Sequence, residues 1–352
     1  MSECGCGKQP VIKMPAIDLK KVSITGFQAD RNSHIFKEKY VSGRLTTPVG
    51  DVPIIHTKLT MKDYLGGVGV RWGRGRMDYQ VAPGLYAVGS PNEDSPVLVS
   101  ANYKLTFDSL RKELGSQNVW ILILDTKGVN VWCAAGKGTF GTKELIGRIE
   151  SSKVAQVVRH RTLVLPQLGA PGIESHIVSK HTSFRIVYGP VLARDLPQFI
   201  ENGMKKDERM STVTFTLRER LAVVPMEIVG VAKFLPLFFL LGAVPALIET
   251  SAVRPSIYEG LLFIGAVITG TVFVPAALPL FAPVRAFSGK GYVAGALVAI
   301  IAAFCLGAGI PKGISWALIA APISGYLALQ FTGASTYTSE SGVRREIRLA
   351  MP

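Results

Sequence analysis

The sequence predicts an α/β domain with a Rossmann-like, doubly wound sheet, followed by an all-α domain of membrane-spanning helices. Two observations support this fold class. Between residues 96 and 204, short apolar runs typical of buried strands alternate with amphipathic runs typical of helices. From residue 228 onward the chain is apolar, in runs close to the ~20 residues that a helix needs to cross the hydrocarbon of a membrane.

Four apolar segments are predicted as strands, over residues 96–100, 119–124, 162–165 and 184–188. The second is apolar throughout, as expected for a strand covered on both faces. Because helical segments separate the strands, we expect a parallel sheet, in which ligands bind beyond the carboxyl ends of the strands. The loops at Asn102, at Cys133, at 167–172 and at Gly189 all fall at that edge.

Three segments of the same region are predicted as helices, over residues 105–114, 143–152 and 196–204. Gly115 is expected to end the first helix. The amphipathic pattern of that helix places four charged residues on its solvent side: Asp108, Arg111, Lys112 and Glu113.

The stretch from residue 54 to 77 is rich in glycine and arginine. It does not match the Walker phosphate-binding pattern, and we interpret it as a loop or hairpin. Its three arginines, Arg71, Arg74 and Arg76, are suited to bind anionic groups, such as the arms of a cofactor or a folate tail.

Four membrane spans are predicted, at about residues 228–249, 258–280, 291–310 and 313–332. Prolines interrupt the second run, so five segments are the alternative. Basic residues cluster on alternate sides of the spans, which predicts that the first domain and both termini face the cytoplasm. The clustered residues are Arg218, Arg220, Lys233, Arg285, Lys290, Arg344, Arg345 and Arg348.

Charge and cysteine content narrow the functional classes. Residues 227–352 hold eight Lys and Arg against five Asp and Glu, so +11 of the formal net charge of +14 lies in residues 1–226. No RNA- or DNA-binding motif accompanies this charge, and an anionic membrane surface explains it better than nucleic acid. The four cysteines, Cys4, Cys6, Cys133 and Cys305, form no disulfide framework, which favours a reducing compartment.

Cys133 follows the strand at 119–124, within a segment of small and glycine residues. It is open to three interpretations. It is a small buried hydrophobe, as free cysteines often are, or it pairs with a histidine as a nucleophile, the candidates being His160, His176 and His181. In the third, it supplies one axial ligand to a metal whose other ligands come from a macrocyclic cofactor.

The segment around Cys133 reads Asn-Val-Trp-Cys-Ala-Ala-Gly-Lys over residues 130–137. It resembles the signature of the mercury-methylating corrinoid proteins, the HgcA family. Further stretches carry the same resemblance, at 83–86, 95–104 and 165–172, together with the C-terminal apolar helices. The corrinoid domain of that family is similar to that of the corrinoid iron–sulfur protein of acetyl-CoA synthesis.

The resemblance implies that a cobalamin-type corrinoid is the cofactor and that the Cys133 thiolate is the lower axial ligand of its cobalt. Residues 130–140 would form a cap helix, on which Ala134, Ala135 and Gly136 let the ring lie close, while Trp132 shields the ligand and Asn130 and Lys137 hold the cap. The implied cofactor-binding residues are Asn102, Tyr103, Asn130, Val131, Trp132, Cys133, Ala134, Ala135, Gly136, Lys137, Gly138, Thr139, Gln167, Gly169, Ala170 and Gly172.

The implied activity is a methyltransferase of anaerobic cells that passes a cobalt-bound methyl group to Hg(II) and forms methylmercury. A methyl carrier of one-carbon, acetyl-CoA-type metabolism is the alternative, with mercury methylation incidental. Methyltetrahydrofolate or its carrier protein is the implied methyl donor, and a ferredoxin-like protein with two 4Fe–4S clusters is the implied electron donor.

The resulting organisation has four parts. Residues 1–35 form an N-terminal extension, 36–222 a cytoplasmic corrinoid-binding domain, 223–335 a multi-pass domain in the cytoplasmic (inner) membrane, and 336–352 a cytoplasmic tail.

Overall fold

A computed structural model describes residues 35–234, 253–281, 286–334 and 340–350, together with Pro236. The seven strands of its sheet domain are β1 (Val41–Thr47), β2 (Gly50–Ile55), β3 (Gly84–Val88), β4 (Val97–Ala101), β5 (Val119–Leu124), β6 (Thr162–Leu165) and β7 (Arg185–Tyr188). Its helices are α1 (Met61–Arg71), α2 (Lys104–Glu113), α3 (Val131–Lys137), α4 (Thr142–Ser152), α5 (Ser175–Thr182) and α6 (Leu196–Glu201).

The helices that follow the sheet domain continue to the end of the described chain. They are α7 (Leu217–Leu221), α8 (Val224–Ala232), α9 (Val253–Ile268), α10 (Val274–Ala276), α11 (Phe287–Cys305), α12 (Ile310–Gln330) and α13 (Glu340–Ala350). A π-helical segment, Thr269–Phe273, joins α9 to α10.

The strands form one sheet in the order β1-β2-β3-β5-β4-β6-β7. The four strands β5, β4, β6 and β7 are mutually parallel. The chain therefore moves from β4 to one side, into β5, and then back across β4 to β6 and β7. Right-handed crossovers place helices on opposite faces when the direction reverses in this way.

Two buried clusters confirm this arrangement of helices. Along β4, Val97 and Val99 join the cluster beneath α3, α4 and α5, whereas Leu98 joins the cluster beneath α2 and α6. Because successive side chains of a strand point to opposite faces, one short strand contributes to both clusters. The predicted strands and helices in residues 96–204 are present, with their ends shifted by a few residues.

The predicted all-parallel sheet is wrong for the N-terminal half of the domain. β1 and β2 form an antiparallel hairpin, and β3 is antiparallel to β5, so the sheet is mixed. These strands carry weak sequence signals. β1 has one face exposed and few apolar residues, and β2 contains Pro53. β3 forms by pairing with the central strand β5, and β2 by pairing with β3 and β1, which the local sequence does not encode.

The loop or hairpin predicted between residues 54 and 77 is also wrong, because α1 occupies much of this stretch. Three glycines inside α1 cost helix stability. A capping box offsets part of this cost: the Thr60 backbone N–H donates to Asp63 Oδ2 at 2.9 Å, and the Asp63 N–H donates back to the Thr60 hydroxyl. The glycines also permit close packing, since a Cβ on Gly66 would lie 2.6 Å from the Tyr79 hydroxyl oxygen.

A buried cluster of four charged side chains joins α1 to α2. Lys104 Nζ lies 2.7 Å from Asp63 Oδ1 and 2.7 Å from Asp108 Oδ2. Arg111 lies 2.9 Å from Asp108 and 3.0 Å from Asp63, and donates to the His56 carbonyl at 2.6 Å. Asp108 and Arg111 are 3% and 1% exposed, so their predicted position on the solvent side is wrong. Arg111 faces inward because Asp63 of α1 lies opposite it, and Asp108 faces inward because it pairs with Lys104 and Arg111.

The charge cluster shifts the pKa values of two of its members. Burial opposes ionisation of Asp63, but the bonds from Lys104 and Thr60 outweigh it and hold the pKa of Asp63 well below its usual range. Burial likewise opposes the charge of Lys104, and the two carboxylates outweigh it and raise the pKa of Lys104. Both groups are therefore charged at neutral pH.

Three helices in the described residues are long and apolar enough to cross a membrane: Tyr258–Ala276, Phe287–Cys305 and Ile310–Gln330. They match the last three predicted spans within about five residues. The first predicted span lies largely outside the described residues. Cys4 and Cys6 lie outside them as well. Pro275 falls in the last turn of its span rather than breaking it in two, while Pro322 lies inside α12.

Glycines allow these three helices to pack closely. A Cβ on Gly295 of α11 would lie 2.7 Å from both the Ala320 carbonyl oxygen and the Ser324 hydroxyl of α12. Ser324 Oγ also donates to the Ala266 carbonyl of α9 at 2.7 Å. Small residues at helix contacts with one interhelical hydrogen bond are typical of packing within membranes.

Replacing Asp63 with Asn should destabilise the sheet domain by about 3 kcal/mol, because Lys104 and Arg111 lose a buried partner. The unfolding midpoint of the purified chain should fall by about 6–12 °C at pH 7. Asp78→Asn, at an exposed carboxylate, is the matched control and should shift the midpoint by no more than about 2 °C.

The same pair of variants tests the lowered pKa of Asp63. A carboxylate with a lowered folded pKa stabilises the fold above its unfolded pKa of about 4, and this stabilisation is lost as the pH falls through the folded pKa. The gap between the unaltered chain and Asp63→Asn should therefore shrink below about pH 4. A gap that stays constant down to pH 2.5 would contradict the assignment.

Gly295→Ala should destabilise the C-terminal helices by about 1–3 kcal/mol, since the new methyl group overlaps α12. Gly260→Ala is its control in α9, where a Cβ meets nothing within 4 Å. That change should be neutral or stabilising by up to about 1 kcal/mol. Thermal aggregation of the detergent-solubilised chain measures both, and equal midpoints would disprove the close contact.

Candidate functional site

A cleft of about 430 Å3 opens at the carboxyl edge of the parallel strands. It lies where β4 and β6 are neighbours and the helices after them leave on opposite faces of the sheet. Such a switch point is the usual ligand site of an open α/β sheet. Most of the lining is apolar, and the predicted edge residues Tyr103, Asn130 and Gly189 are among it.

Helix α3 carries Cys133 beside this cleft. Asn130 begins the helix, with its Oδ1 accepting from the Cys133 backbone N–H at 2.9 Å. Val131 and Trp132 line the cleft. The Cys133 thiol is free and exposed, which excludes the interpretation of this residue as a buried hydrophobe. Trp132 is 38% exposed, so it is not a core aromatic residue either.

The small residues of α3 lie on two different faces. Ala134 and Ala135 are buried, and they pack under the helix against the domain core. Ala134 has no exposed surface, and the expectation that it lets a ring lie close remains a prediction. Gly136 is exposed, and a Cβ there would meet nothing within 4 Å. One turn from Cys133, it leaves open space beside the thiol.

The end of α3 is held by its own backbone. Gly138 takes a left-handed conformation (φ 77°) and its N–H reaches the carbonyls of Ala134 and Ala135. The Thr139 N–H donates to the Ala134 carbonyl at 3.0 Å. Lys137 is exposed, so the bond through which it was expected to hold the cap is not formed within the described residues.

The turn after β6 packs against α3 from below. It forms a 3₁₀ helix over Gln167–Gly172. A Cβ on Gly169 would lie 2.6 Å from the Phe140 ring, and one on Gly172 would overlap the Phe140 carbonyl oxygen. These glycines therefore have a packing role, and contact of Gly169, Ala170 or Gly172 with a cofactor remains a prediction.

Asn102 is the polar centre of the loops at this edge. Its Oδ1 accepts three hydrogen bonds, from the backbone N–H of Thr126 at 3.1 Å, the Thr126 hydroxyl at 2.9 Å and the Gly128 N–H at 3.0 Å. Its Nδ2 donates to Gln80 and Asp125. Asn102 is 1% exposed and its bonding capacity is used within the chain. It positions the loop before α3, and its direct contact with a cofactor remains a prediction.

Several cations surround the cleft. Arg71 lines it, which supports part of the prediction that the arginines of this stretch bind anionic groups. Burial raises the pKa of Tyr103, and the nearby charges of Arg76 and Arg71 oppose that rise. After α6, Lys206 donates to Gln167, and burial lowers the pKa of Lys206. The predicted Gln167 is thus held by a lysine that the sequence did not indicate.

Histidine pairing with Cys133 finds no support in the geometry. His160 Nε2 lies 2.9 Å from the Ser95 carbonyl oxygen, just before β6 begins and so at the opposite edge of the sheet. His176 and His181 on α5 are exposed. Within the described residues, no three His, Cys, Asp or Glu side chains lie close enough together to hold a metal ion.

Sequence reasoning missed part of the cleft wall. Leu105 and the segment Pro190–Leu192 line it, in addition to Leu168 of the predicted loop at 167–172. Leu105 is the second residue of α2, and Pro190–Leu192 follows β7, so strand ends were the available signal. Lys206 follows α6 with no local pattern to mark it.

Comparison with known proteins finds relatives that match part of the sheet domain. The family described as CO dehydrogenase/acetyl-CoA synthase delta subunit matches residues 71–199. The match begins at Arg71 of the cleft, includes Cys133, and ends in α6. It does not reach the helices of membrane-spanning length.

Curated relatives match the same region. The acetyl-CoA decarbonylase/synthase complex subunit gamma of Methanopyrus kandleri is 34% identical over 128 residues, which are 36% of this chain and 27% of the relative. That of Archaeoglobus fulgidus is 30% identical over 135 residues, covering 38% and 28%. Subunit gamma 2 of Methanosarcina mazei is 28% identical over 184 residues, covering 50% and 38%.

This chain therefore spans about a quarter to two-fifths of the length of these relatives. They are named as subunits of an acetyl-CoA decarbonylase/synthase complex. The matches support the broader resemblance, to the corrinoid iron–sulfur type of protein, and they do not bear on mercury.

Asn102→Ala should destabilise the sheet domain by about 3 kcal/mol, because the buried N–H groups of Thr126 and Gly128 lose their acceptor. Asn202→Ala, at an exposed position after α6, is the control and should change stability by no more than about 0.5 kcal/mol. Hydrogen exchange of the Thr126 and Gly128 amides should accelerate in Asn102→Ala only. Unchanged exchange would contradict the role of Asn102.

Proposed function

We propose that this chain is a membrane-attached corrinoid methyl carrier of one-carbon metabolism. The observation that carries the proposal is the exposed thiol of Cys133 at the start of α3, beside the cleft at the carboxyl edge of the sheet. The relatives that match this region belong to acetyl-CoA decarbonylase/synthase complexes. The three long apolar helices support the attachment to a membrane.

The residues present suit a corrinoid. A soft sulfur donor stands alone and exposed, as an axial ligand to a metal already bound by a macrocycle requires. Beside it, Gly136 leaves open space and Trp132 presents an apolar ring surface. The apolar cleft with Arg71 at its wall suits an arm of the cofactor that carries amide or anionic groups. The cleft itself is too small for a whole corrinoid, so only such an arm would enter it.

Each residue has a separate task in this proposal. A bound corrinoid supplies a cobalt centre that accepts and releases a methyl group. Cys133 would offer its sulfur to the cobalt, and the hydrogen bond from its own N–H to Asn130 holds the first turn of α3 in place. Trp132 excludes water from the ligand side. Asn102 fixes the loop that sets the position of Asn130.

Mercury methylation is the second candidate function. The exposed Cys133 thiol favours it, because a thiolate is a soft, electron-rich ligand and Hg(II) is a soft acceptor of a carbanion-like methyl group. The eight-residue segment at 130–137 adds the resemblance to the mercury-methylating family. Here Hg(II) is a substrate rather than a resident metal.

The proposal requires protein partners. The segment matched by the relatives contains one cysteine, Cys133, so electrons that maintain the cofactor come from another protein, for which a ferredoxin-like partner with two 4Fe–4S clusters is the proposed type. A methyltetrahydrofolate donor or its carrier protein is proposed as the methyl source. The proposed location is the cytoplasmic membrane, with the sheet domain in the cytoplasm.

Cys133→Ala should remove the thiolate ligand without unfolding the protein, because the side chain is exposed. The full chain purified without oxygen should contain about one cobalt per chain and show corrinoid absorption. In Cys133→Ala we expect an altered absorption spectrum and at least about a tenfold loss of methyl transfer. Absence of cobalt and corrinoid from the unaltered protein would reject the proposed function.

A matched pair of glycine variants tests the space beside the thiol. Gly136→Leu covers the side of Cys133, whereas Gly147→Leu adds the same side chain on α4, where a Cβ meets nothing within 4 Å. Corrinoid content should fall in Gly136→Leu alone.

Exposure of anaerobic cells to Hg(II) separates the two candidate functions. Methylmercury that depends on Cys133 supports the second candidate, and methylated products of one-carbon metabolism alone support the first.

A further inference from the structure

Helix α1 exposes a continuous apolar stripe. Met61, Tyr64, Leu65, Val68 and Trp72 recur at the three- and four-residue spacing of one helix face, with Trp72 directly after the last residue of the helix. Each of the five side chains is between 47% and 72% exposed. We call them the α1 stripe. Contiguous apolar patches of this kind mark interaction surfaces rather than ordinary protein surface.

The opposite face of α1 is fixed, so the stripe cannot turn inward. Asp63 is bound to Lys104 and Arg111, while Gly67 and Val70 are buried. A Cβ on Gly67 would lie 3.2 Å from Leu105 of α2, which leaves little room for rotation of the helix. The stripe is therefore a permanent feature of the outer surface of this domain.

Basic residues flank the stripe on both sides. At about 100° per residue, Lys62 lies on one side of it and Arg71 on the other. Lys58 precedes the helix, and Arg74 and Arg76 follow it. Asp63 is the one acidic residue between 58 and 76, and its charge is matched by Lys104 and Arg111. The outer surface of this segment is therefore apolar along its centre and cationic along its edges.

The stripe lies near the helices that lead towards the apolar half of the chain. A Cβ on Gly73, one residue after Trp72, would lie 3.4 Å from Val229 Cγ1 of α8. α7 and α8 expose further apolar side chains, including Leu221, Val229 and, after α8, Phe234. The three helices of membrane-spanning length follow later in the same chain.

We propose that the α1 stripe lies on the surface of an anionic lipid bilayer, the same membrane that the C-terminal helices span. This inference rests on the membrane attachment in the proposed function. An apolar stripe with cationic edges is the pattern of helices that lie in the membrane interface, and a terminal tryptophan suits the headgroup level. Because the chain is already tethered, a weak interfacial contact suffices to hold it.

The contact would also orient the candidate functional site. Arg71 belongs both to the edge of the stripe and to the wall of the cleft. With α1 on the membrane, the cleft and α3 keep a fixed orientation relative to the lipid surface. An acidic protein partner is the rival occupant, and the experiment below separates it from lipid.

The test measures cysteine reactivity in the full chain reconstituted into lipid nanodiscs. Leu65→Cys places a thiol in the stripe, and Lys112→Cys places one at an exposed site of α2 as the matched control. A membrane-impermeant maleimide is added, and modification is quantified by mass spectrometry for the peptide that contains each residue. Phosphatidylcholine nanodiscs with and without phosphatidylglycerol are compared.

We expect Leu65→Cys to react at least about fivefold more slowly than Lys112→Cys in anionic nanodiscs, and to recover in phosphatidylcholine alone or at high salt. Adding Met61→Glu and Val68→Glu, both at exposed positions, should restore the reactivity of Leu65→Cys. Equal rates for the two cysteines in anionic nanodiscs would overturn the proposal. Protection that appears only when the soluble cell fraction is added would also overturn it, in favour of a protein partner.

The absorption spectrum of the same preparation separates this proposal from the proposed function. Protection of Leu65→Cys without corrinoid rejects the carrier function and leaves the lipid contact standing. Corrinoid absorption without protection of Leu65→Cys rejects the lipid contact and leaves the carrier function standing. Failure of the chain to enter nanodiscs at all rejects both the membrane attachment and the lipid contact.

Discussion

The hydrogen bonds of the Asn102 side chain are the constraint on which the candidate site depends. One amide at the end of β4 holds Thr126 and Gly128 after β5, and that loop delivers Asn130, which in turn begins the helix that carries Cys133. These hydrogen bonds link the ends of the parallel strands β4 and β5 to the position of the Cys133 thiol. Because Asn102 is buried and fully bonded, its effect on the site is indirect. A buried amide that satisfies several backbone groups is costly to remove, which makes the position of the loop unique.

A second constraint fixes the surroundings of that site. The cluster of Asp63, Lys104, Asp108 and Arg111 locks α1 against α2, at the wall of the cleft to which Arg71 and Leu105 belong. On the other side of the chain, the buried Arg220 of α7 donates to the Pro275 and Ala276 carbonyls at the end of α10. Carbonyl groups at a helix end lack intrahelical partners, and a guanidinium satisfies them. A polar contact thus joins α7, which directly follows the sheet domain, to the apolar helices, in addition to the chain itself.

The candidate site offers one protein ligand for a metal rather than a complete set of metal ligands. One exposed sulfur, an apolar cleft and a few cations suit a cofactor that brings its own metal and most of its ligands. The relatives match this region and stop before the apolar helices, so the chain combines a segment of acetyl-CoA decarbonylase/synthase type with helices of membrane-spanning length. The combination suits the proposed methyl carrier at a membrane, and the proposed contact of the α1 stripe with lipid would hold the candidate site in a fixed orientation to it.

The sequence by itself determined the parallel strands β4 to β7, the approximate limits of the three long apolar helices and the position of Cys133 after β5 at the carboxyl edge of the sheet, because continuous apolar runs and strand-end loops are local signals. The family resemblance implied that Tyr103, Asn130 and Trp132 hold a cofactor, and these residues line the cleft. Only the tertiary structure decided that the sheet is mixed, since β3 pairs with β5, which is distant in sequence, and the hairpin of β1 and β2 joins the sheet through β3. The same holds for α1, whose glycines oppose a helix until Thr60 caps it and Asp63 meets Lys104 and Arg111. Amphipathicity put Asp108 and Arg111 outside because the pattern of one helix cannot show which charges another helix brings. Likewise, the run Ala134-Ala135-Gly136 looks uniform in sequence, but the 100° turn per residue sends the alanines into the core and leaves Gly136 beside the thiol.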